Sequence, residues 1–188
     1  MKVQKTPLQD CIILKPSEFR DSRGIFCETF NKRDFKKATG MDIDFVQDNQ
    51  SISSYGVLRG LHFQKGAMAQ AKLVRVIEGK VLDIVVDIRK ESKTFGSHFS
   101  LILDSVSNEQ LFVPRGFAHG FITLSKTSIF SYKCDNFYDQ ASESGIIYND
   151  ATLEIDWHLP KEDLIISEKD RKLPSLKDAI LWNESLDS

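Results

Sequence analysis

Little in this chain of 188 residues announces a partner by charge. Its 25 Lys and Arg face 27 Asp and Glu, a net charge of -2, so no basic excess points to nucleic acid or to an anionic membrane surface. Long hydrophobic runs are also missing. Stretches such as Ile12–Leu14 and Ile84–Val86 are a few residues long, against the ~20 that a membrane-spanning helix needs. No long apolar segment follows Met1-Lys2-Val3-Gln4, as a secretory signal would require. Cysteine is scarce: Cys11, Cys27 and Cys134 are far apart and odd in number, with no Cys-x-x-Cys pair. That excludes a zinc ribbon or a disulfide framework and reads as reduced thiols in a cytoplasmic protein.

What remains is ordinary globular composition, 41% apolar and 28% charged. The length suits one domain, and no linker, repeat or low-complexity tract divides residues 1–188. Short runs rich in Val, Ile and Phe recur, most bounded by Gly, Pro, Asn, Asp or Ser: Gly56–Phe63, Ala71–Ile77, Lys80–Ile88, Ser97–Leu103, Gln110–Val113, Gly120–Leu124 and Ser128–Cys134. Glu78-Gly79-Lys80 reads as a tight hairpin turn, and Gln47-Asp48-Asn49 as a turn by residue type. Many short strands at near-regular spacing predict an all-β fold, an antiparallel barrel or jelly roll. Helices are few. Asn31–Ala38 is one, with Asn31 as N-cap, Gly40 just past the end, and Phe30 and Phe35 as a hydrophobic staple. Ser175–Leu181 is a shorter second. The charged stretch from about 156, carrying Pro160 and Pro174, reads as an irregular C-terminal segment (~156–188) that packs back on the barrel.

Two clusters can carry chemistry. In Arg59-Gly60-Leu61-His62-Phe63-Gln64, strand alternation puts Arg59, Leu61 and Phe63 on one face and His62 and Gln64 on the other. The second cluster is Pro114-Arg115-Gly116-Phe117-Ala118-His119-Gly120-Phe121. Pro-x-Gly-x-x-His leading into an apolar strand resembles the second signature of the cupin superfamily, and the strand with Gly60 and His62 resembles the first. Metal-binding cupins carry a His-x-His pair there. Here Gln64 takes the place of the second His, and no carboxylate lies between Gln64 and Glu78. Two histidines make a poor divalent-metal site, so no metal is expected and the interior is expected to work by acid–base chemistry.

The likeness then becomes closer. Gln47-Asp48-Asn49, Val57–Gln64, Lys72-Leu73-Val74-Arg75, Val86–Ser92, Pro114–Phe121 and Ser167-Glu168-Lys169-Asp170 occur in order. Together they resemble the dTDP-4-dehydrorhamnose 3,5-epimerase family from about Ile13 to Leu176. The resemblance implies a cupin jelly-roll barrel with a few short flanking helices, working without a cofactor on a nucleotide-linked 4-keto-6-deoxyhexose. One departure is Gln50, where His is frequent in the family.

Both C3 and C5 of such a sugar lie next to the C4 ketone, so their hydrogens are weakly acidic. Inversion needs a base, a group to hold the enolate oxygen, and an acid on the opposite face. The resemblance implies His62 as base, paired with Asp170; Lys72 at the enolate oxygen; and Tyr132 as proton donor, with Tyr138 a nearby competitor. For substrate binding it implies Arg23, Phe26, Glu28, Gln47, Asp48, Asn49, Arg59, His119, Glu143 and Lys169. Arg23 and Arg59 can present planar donor forks to phosphate, and Phe26 can stack on the pyrimidine. It further implies a homodimer whose sites are completed by the partner's N-terminal strand. By residue type alone each of these is equally an ordinary turn, wall or surface residue. The competing readings are an epimerase acting on C3 or C5 only, a non-catalytic sugar-binding cupin, and a metal-dependent cupin enzyme.

Overall fold

A computed structural model describes residues 1–179. The strands are β1 (Lys2–Lys5), β2 (Ile12–Lys15), β3 (Glu18–Asp21), β4 (Gly24–Cys27), β5 (Gln47–Ser54), β6 (Val57–Gln64), β7 (Lys72–Glu78), β8 (Lys80–Asp87), β9 (His98–Asp104), β10 (Gln110–Val113), β11 (Phe117–Thr123), β12 (Thr127–Cys134), β13 (Glu143–Gly145) and β14 (Ile165–Ile166). One six-stranded sheet runs β1-β2-β10-β7-β12-β5. The other runs β13-β6-β11-β8-β9, with β14 joining β6 in parallel. β3 and β4 form a separate two-stranded ribbon.

Alternation explains the layering. In β7 and β12, Val74, Val76 and Phe130 point between the sheets, where they meet Val81 and Val85 of β8, Leu111 and Val113 of β10, and Phe117 and Phe121 of β11. This cluster fills much of the space between the sheets. The outer face of the second sheet is covered by the C-terminal segment, through Leu58, Leu61, Phe63, Ile84, Val86, Ile146, Trp157 and Ile166. The outer face of the first sheet is partly covered by α1 (Lys32–Thr39), through Phe35, Leu73 and Phe112. The α1 ends are as expected. Asn31 accepts hydrogen bonds from the Arg33 and Asp34 amides at 3.1 and 3.3 Å, Gly40 takes a left-handed turn, and Phe30 and Phe35 pack at a tilt with centroids 6.0 Å apart.

Four expectations are corrected. Glu78-Gly79-Lys80 is not a hairpin turn. β7 pairs with β10 and β12, β8 with β11 and β9, so Gly79 carries the chain from one sheet to the other. Gln47-Asp48-Asn49 begins strand β5, paired along its length with β12. Ser175–Ala179 is a hydrogen-bonded turn rather than a helix, tied back by the Leu176 amide donating to Asp150 at 2.7 Å; residues 180–181 of that expected helix lie outside the described residues.

The fourth correction concerns β6. His119 faces His62 and Phe121 faces Arg59, so three steps along β6 match two along β11. A bulge of one residue therefore sits at Gly60-Leu61. It resets the alternation: Leu58 and Leu61 both enter the outer core, while Arg59 joins His62 on the cavity side. Two glycines make this crossing close. A Cβ on Gly120 would sit 2.7 Å from the Arg59 carbonyl oxygen and 3.1 Å from Gly60 Cα. Gly120→Ala is expected to destabilise the protein by ~1–3 kcal/mol, the usual cost of overpacking, read as a lower urea midpoint with unchanged slope.

Candidate active site

A cavity of about 550 Å³ opens beside the apolar cluster, which lends it Phe121 and Phe130 as walls. Its walls include Arg59 and His62 from β6, Lys72 from β7, His119 from β11, Tyr132 from β12, and Lys169 and Asp170 from the C-terminal segment. A second cavity of about 230 Å³ shares the His62, Lys72 and Tyr132 walls and adds Gln47, Asn49, Gln64, Tyr138 and Glu143.

His62 and Asp170 are 108 residues apart in sequence, yet His62 Nε2 donates to Asp170 Oδ1 at 2.8 Å. Asp170 is buried and also accepts the Gly60 amide at 3.2 Å, while its own amide donates to Ser167 Oγ at 3.1 Å. Burial acts to raise its carboxyl pKa, but the His62 hydrogen bond and charge, with the Gly60 amide, outweigh burial and hold it below the usual carboxylate range. With Nε2 committed to Asp170, Nδ1 is the ring nitrogen left free.

β14 explains how Asp170 arrives. Ile165 and Ile166 pair with Val57 and Leu58 at one end of β6, and the next turn drops Asp170 onto Gly60 and His62. Tyr55 braces the approach by donating to Asp163 at 3.0 Å.

Lys72 forms no ion pair among the described residues. Burial pushes its ammonium below the ordinary lysine range, with the charges of Cys134, Asp83 and Glu143 opposing in part. Its Nζ lies 5.8 Å from the Tyr132 ring centre. Burial raises the Tyr132 phenol, so at neutral pH it keeps its proton. Tyr138 is half exposed, in the smaller cavity, and donates to Glu143 at 2.9 Å. Glu143 also binds Lys169. Burial acts to raise the Glu143 carboxyl, but Lys169 and Tyr138 together hold it low. Arg59 donates to Ser53 Oγ at 3.2 Å and, with Lys169, puts cationic side chains on the wall of the larger cavity.

His62, Lys72, Tyr132, Asp170, Arg59, His119 and Lys169 thus meet around one space, and Gln47, Asn49 and Glu143 around its extension. Asp48 does not join them: alternation in β5 turns it outward, where it binds Lys133 at 2.9 Å. Arg23, Phe26 and Glu28 lie on or just after the β3–β4 ribbon, outside the cavity of their own chain. Arg23 is paired with Asp21 at 2.6 Å, and Phe26 is 67% exposed. Sequence reasoning passed over Asp83, which binds His119, and Ser167, which caps Asp170. The signal for Asp83 was legible: a carboxylate at the inward parity of an otherwise apolar strand, between Val81 and Val85. Among the described residues no group of three His, Cys, Asp or Glu is arranged to hold a metal ion, and no helix is long and apolar enough to cross a membrane.

Comparison with known proteins adds the following. The family model for dTDP-4-dehydrorhamnose 3,5-epimerase matches residues 5–178. The dTDP-4-dehydrorhamnose 3,5-epimerase of Salmonella typhimurium is 47% identical over 184 residues, covering 96% of this chain and 98% of the relative. The crystal structure of the enzyme of that name from Elizabethkingia anophelis superposes with a TM-score of 0.92 at 54% identity, covering 95% of this chain and 97% of the other. The dTDP-6-deoxy-D-glucose-3,5-epimerase of Legionella pneumophila, crystallised with dTDP-4-keto-L-rhamnose, gives a TM-score of 0.90 at 40% identity, covering 94% and 93%. The fold is accordingly the expected cupin type.

The Asp170 environment has a pH signature. Its folded pKa lies below the unfolded value of ~3.9, so its contribution to stability is complete above that value and is lost as pH falls through the folded one. Asp170→Asn removes this contribution. Its unfolding free energy is expected to fall less steeply than wild type on acidification below about pH 4, measured by urea titration at a series of pH values.

Proposed function

We propose a specific reaction and division of labour for a chain that belongs to the dTDP-4-dehydrorhamnose 3,5-epimerase family: it converts a dTDP-4-keto-6-deoxyhexose, dTDP-4-dehydro-6-deoxyglucose, to dTDP-4-dehydrorhamnose by inverting C3 and C5. His62, oriented by Asp170, takes the proton from the carbon beside the ketone. The electron pair moves onto the C4 oxygen as an enolate, beside the Lys72 ammonium. Tyr132 returns a proton from the opposite face; His62 then gives its proton to solvent and Tyr132 regains one from it, and repetition at the second carbon completes the change. No electrons are transferred, so the reaction asks for no redox cofactor.

The single observation that carries this reading is the meeting of His62, Lys72 and Tyr132 on one cavity, with Asp170 bonded to His62 at 2.8 Å. An imidazole oriented by a carboxylate is a well-matched base; a phenol held protonated by burial is a matched acid. Arg59 and Lys169 suit the diphosphate, and His119, Gln47, Asn49 and Glu143 the remaining polar groups of the substrate.

The β3–β4 ribbon supports a homodimer with sites completed in trans. Phe19, Ile25 and Phe26 are 62%, 50% and 67% exposed, an apolar surface that a second copy would cover while bringing Arg23, Phe26 and Glu28 to its cavity. The reduced thiols and nucleotide-sugar chemistry fit a cytoplasmic enzyme acting as one domain, without nucleic-acid or membrane partners.

Incubation with dTDP-4-keto-6-deoxyglucose in D₂O, followed by NMR, tests the chemistry. His62→Ala is expected to lose exchange at both carbons by ~10²–10⁴-fold while still binding dTDP; retained exchange removes His62 from the base role. Tyr132→Phe is expected to impair net inversion more than exchange. In light scattering the wild-type chain is expected at twice its monomer mass; a monomer with full activity would refute completion in trans.

A further inference from the structure

A second carboxylate–imidazole pair lies beside the one just described. His119 and His62 are direct neighbours across β11 and β6. As His62 binds Asp170, so His119 Nε2 donates to Asp83 Oδ2 at 2.9 Å. The surroundings differ. Asp170 has a backbone amide as well as its histidine, whereas Asp83 is wholly buried and its Oδ1 has no hydrogen-bond partner among the described residues. Its neighbours on the inward face of β8 are Val81 and Val85.

A carboxylate in apolar surroundings with an orphan oxygen is costly to fold around, and a hydrocarbon side chain would fill the place better. The hydrogen bond from His119 offsets part of that cost. His119 also lines the cavity. Its ring is held from a second side by stacking on Phe130, centroids 6.1 Å apart. Asp83 itself has no exposed surface, so it acts through His119 and not on a ligand.

We propose that Asp83 is a positioning residue for the substrate-binding wall of the site: through its hydrogen bond it fixes the His119 ring, so that the imidazole keeps one orientation toward the substrate. This rests on the epimerase reading above and deepens it.

The experiment measures kcat, KM and C3 and C5 exchange in D₂O for wild type, Asp83→Asn, His119→Ala and the double variant, with circular dichroism to check the fold. Asp83→Asn is expected to lower kcat/KM by roughly 10²-fold, as a misplaced group in the site does. Adding Asp83→Asn to His119→Ala is expected to cost far less than it does in wild type, because Asp83 acts through that ring. Wild-type kcat/KM in Asp83→Asn, or effects that simply multiply, would overturn the proposal. Asp83→Ser serves if Asp83→Asn does not fold; if neither folds, Asp83 is a fold residue and the proposal fails. A wild-type protein that neither exchanges nor inverts would instead sink the epimerase reading itself, and this proposal with it.

Discussion

The hydrogen bond between Asp170 and His62 is where the fold and the chemistry meet. A buried carboxylate is costly unless its oxygens are matched by donors. Here the donors are an imidazole and the Gly60 amide at a strand bulge. The bulge turns Arg59 to the cavity beside His62 and sends Leu58 and Leu61 to the outer core. The Gly60–Gly120 approach keeps β6 and β11 close enough for His62 and His119 to be neighbours. The C-terminal segment is in turn held on β6 by β14 and by the packing of Trp157 and Ile166. Each of these arrangements serves the placing of one carboxylate.

The barrel interior is divided by polarity. Valine, leucine and phenylalanine from both sheets fill part of it. The cavity beside them carries a half-buried lysine, a half-buried phenol and two histidines, each histidine backed by a carboxylate. In a site partly shielded from water a fixed ammonium or N–H interacts with developing negative charge more strongly than it would in bulk solvent. A reaction that makes an enolate and then removes it gains from groups already in position. It gains equally from an acid and a base whose surroundings separate their proton affinities: the Tyr132 phenol is pushed up by burial, while the Asp170 carboxyl behind His62 is held down.

The β3–β4 ribbon stands apart from both sheets. Its Arg20 and Arg23 are paired within the ribbon, with Glu18 and Asp21, and Phe19 and Phe26 face solvent, an exposed apolar surface that is consistent with the proposed dimer.

Much was legible in the order of residues. Val, Ile and Phe runs punctuated by Gly and Pro marked most of the strands of the two large sheets, because a pleated surface buried on one or both faces selects those side chains. The α1 helix was readable to within a residue, because caps are local chemistry: Asn31 and Gly40 act on groups two to four positions away. The cluster around His62 and His119 was visible as a pattern. Partnership was not visible in the residues themselves. The pairing of Asp170 with His62 came from the family resemblance, and no local pattern told that Asp83 would sit under His119 or that Arg59 would share a face with His62 despite strict alternation. Nor did Glu78-Gly79-Lys80 reveal whether it joined two strands of one sheet or passed between two sheets. Local side-chain chemistry is written in the sequence because its range is a few residues; hydrogen bonds across strands and sheets depend on register, bulges and chain return, which only the assembled fold decides.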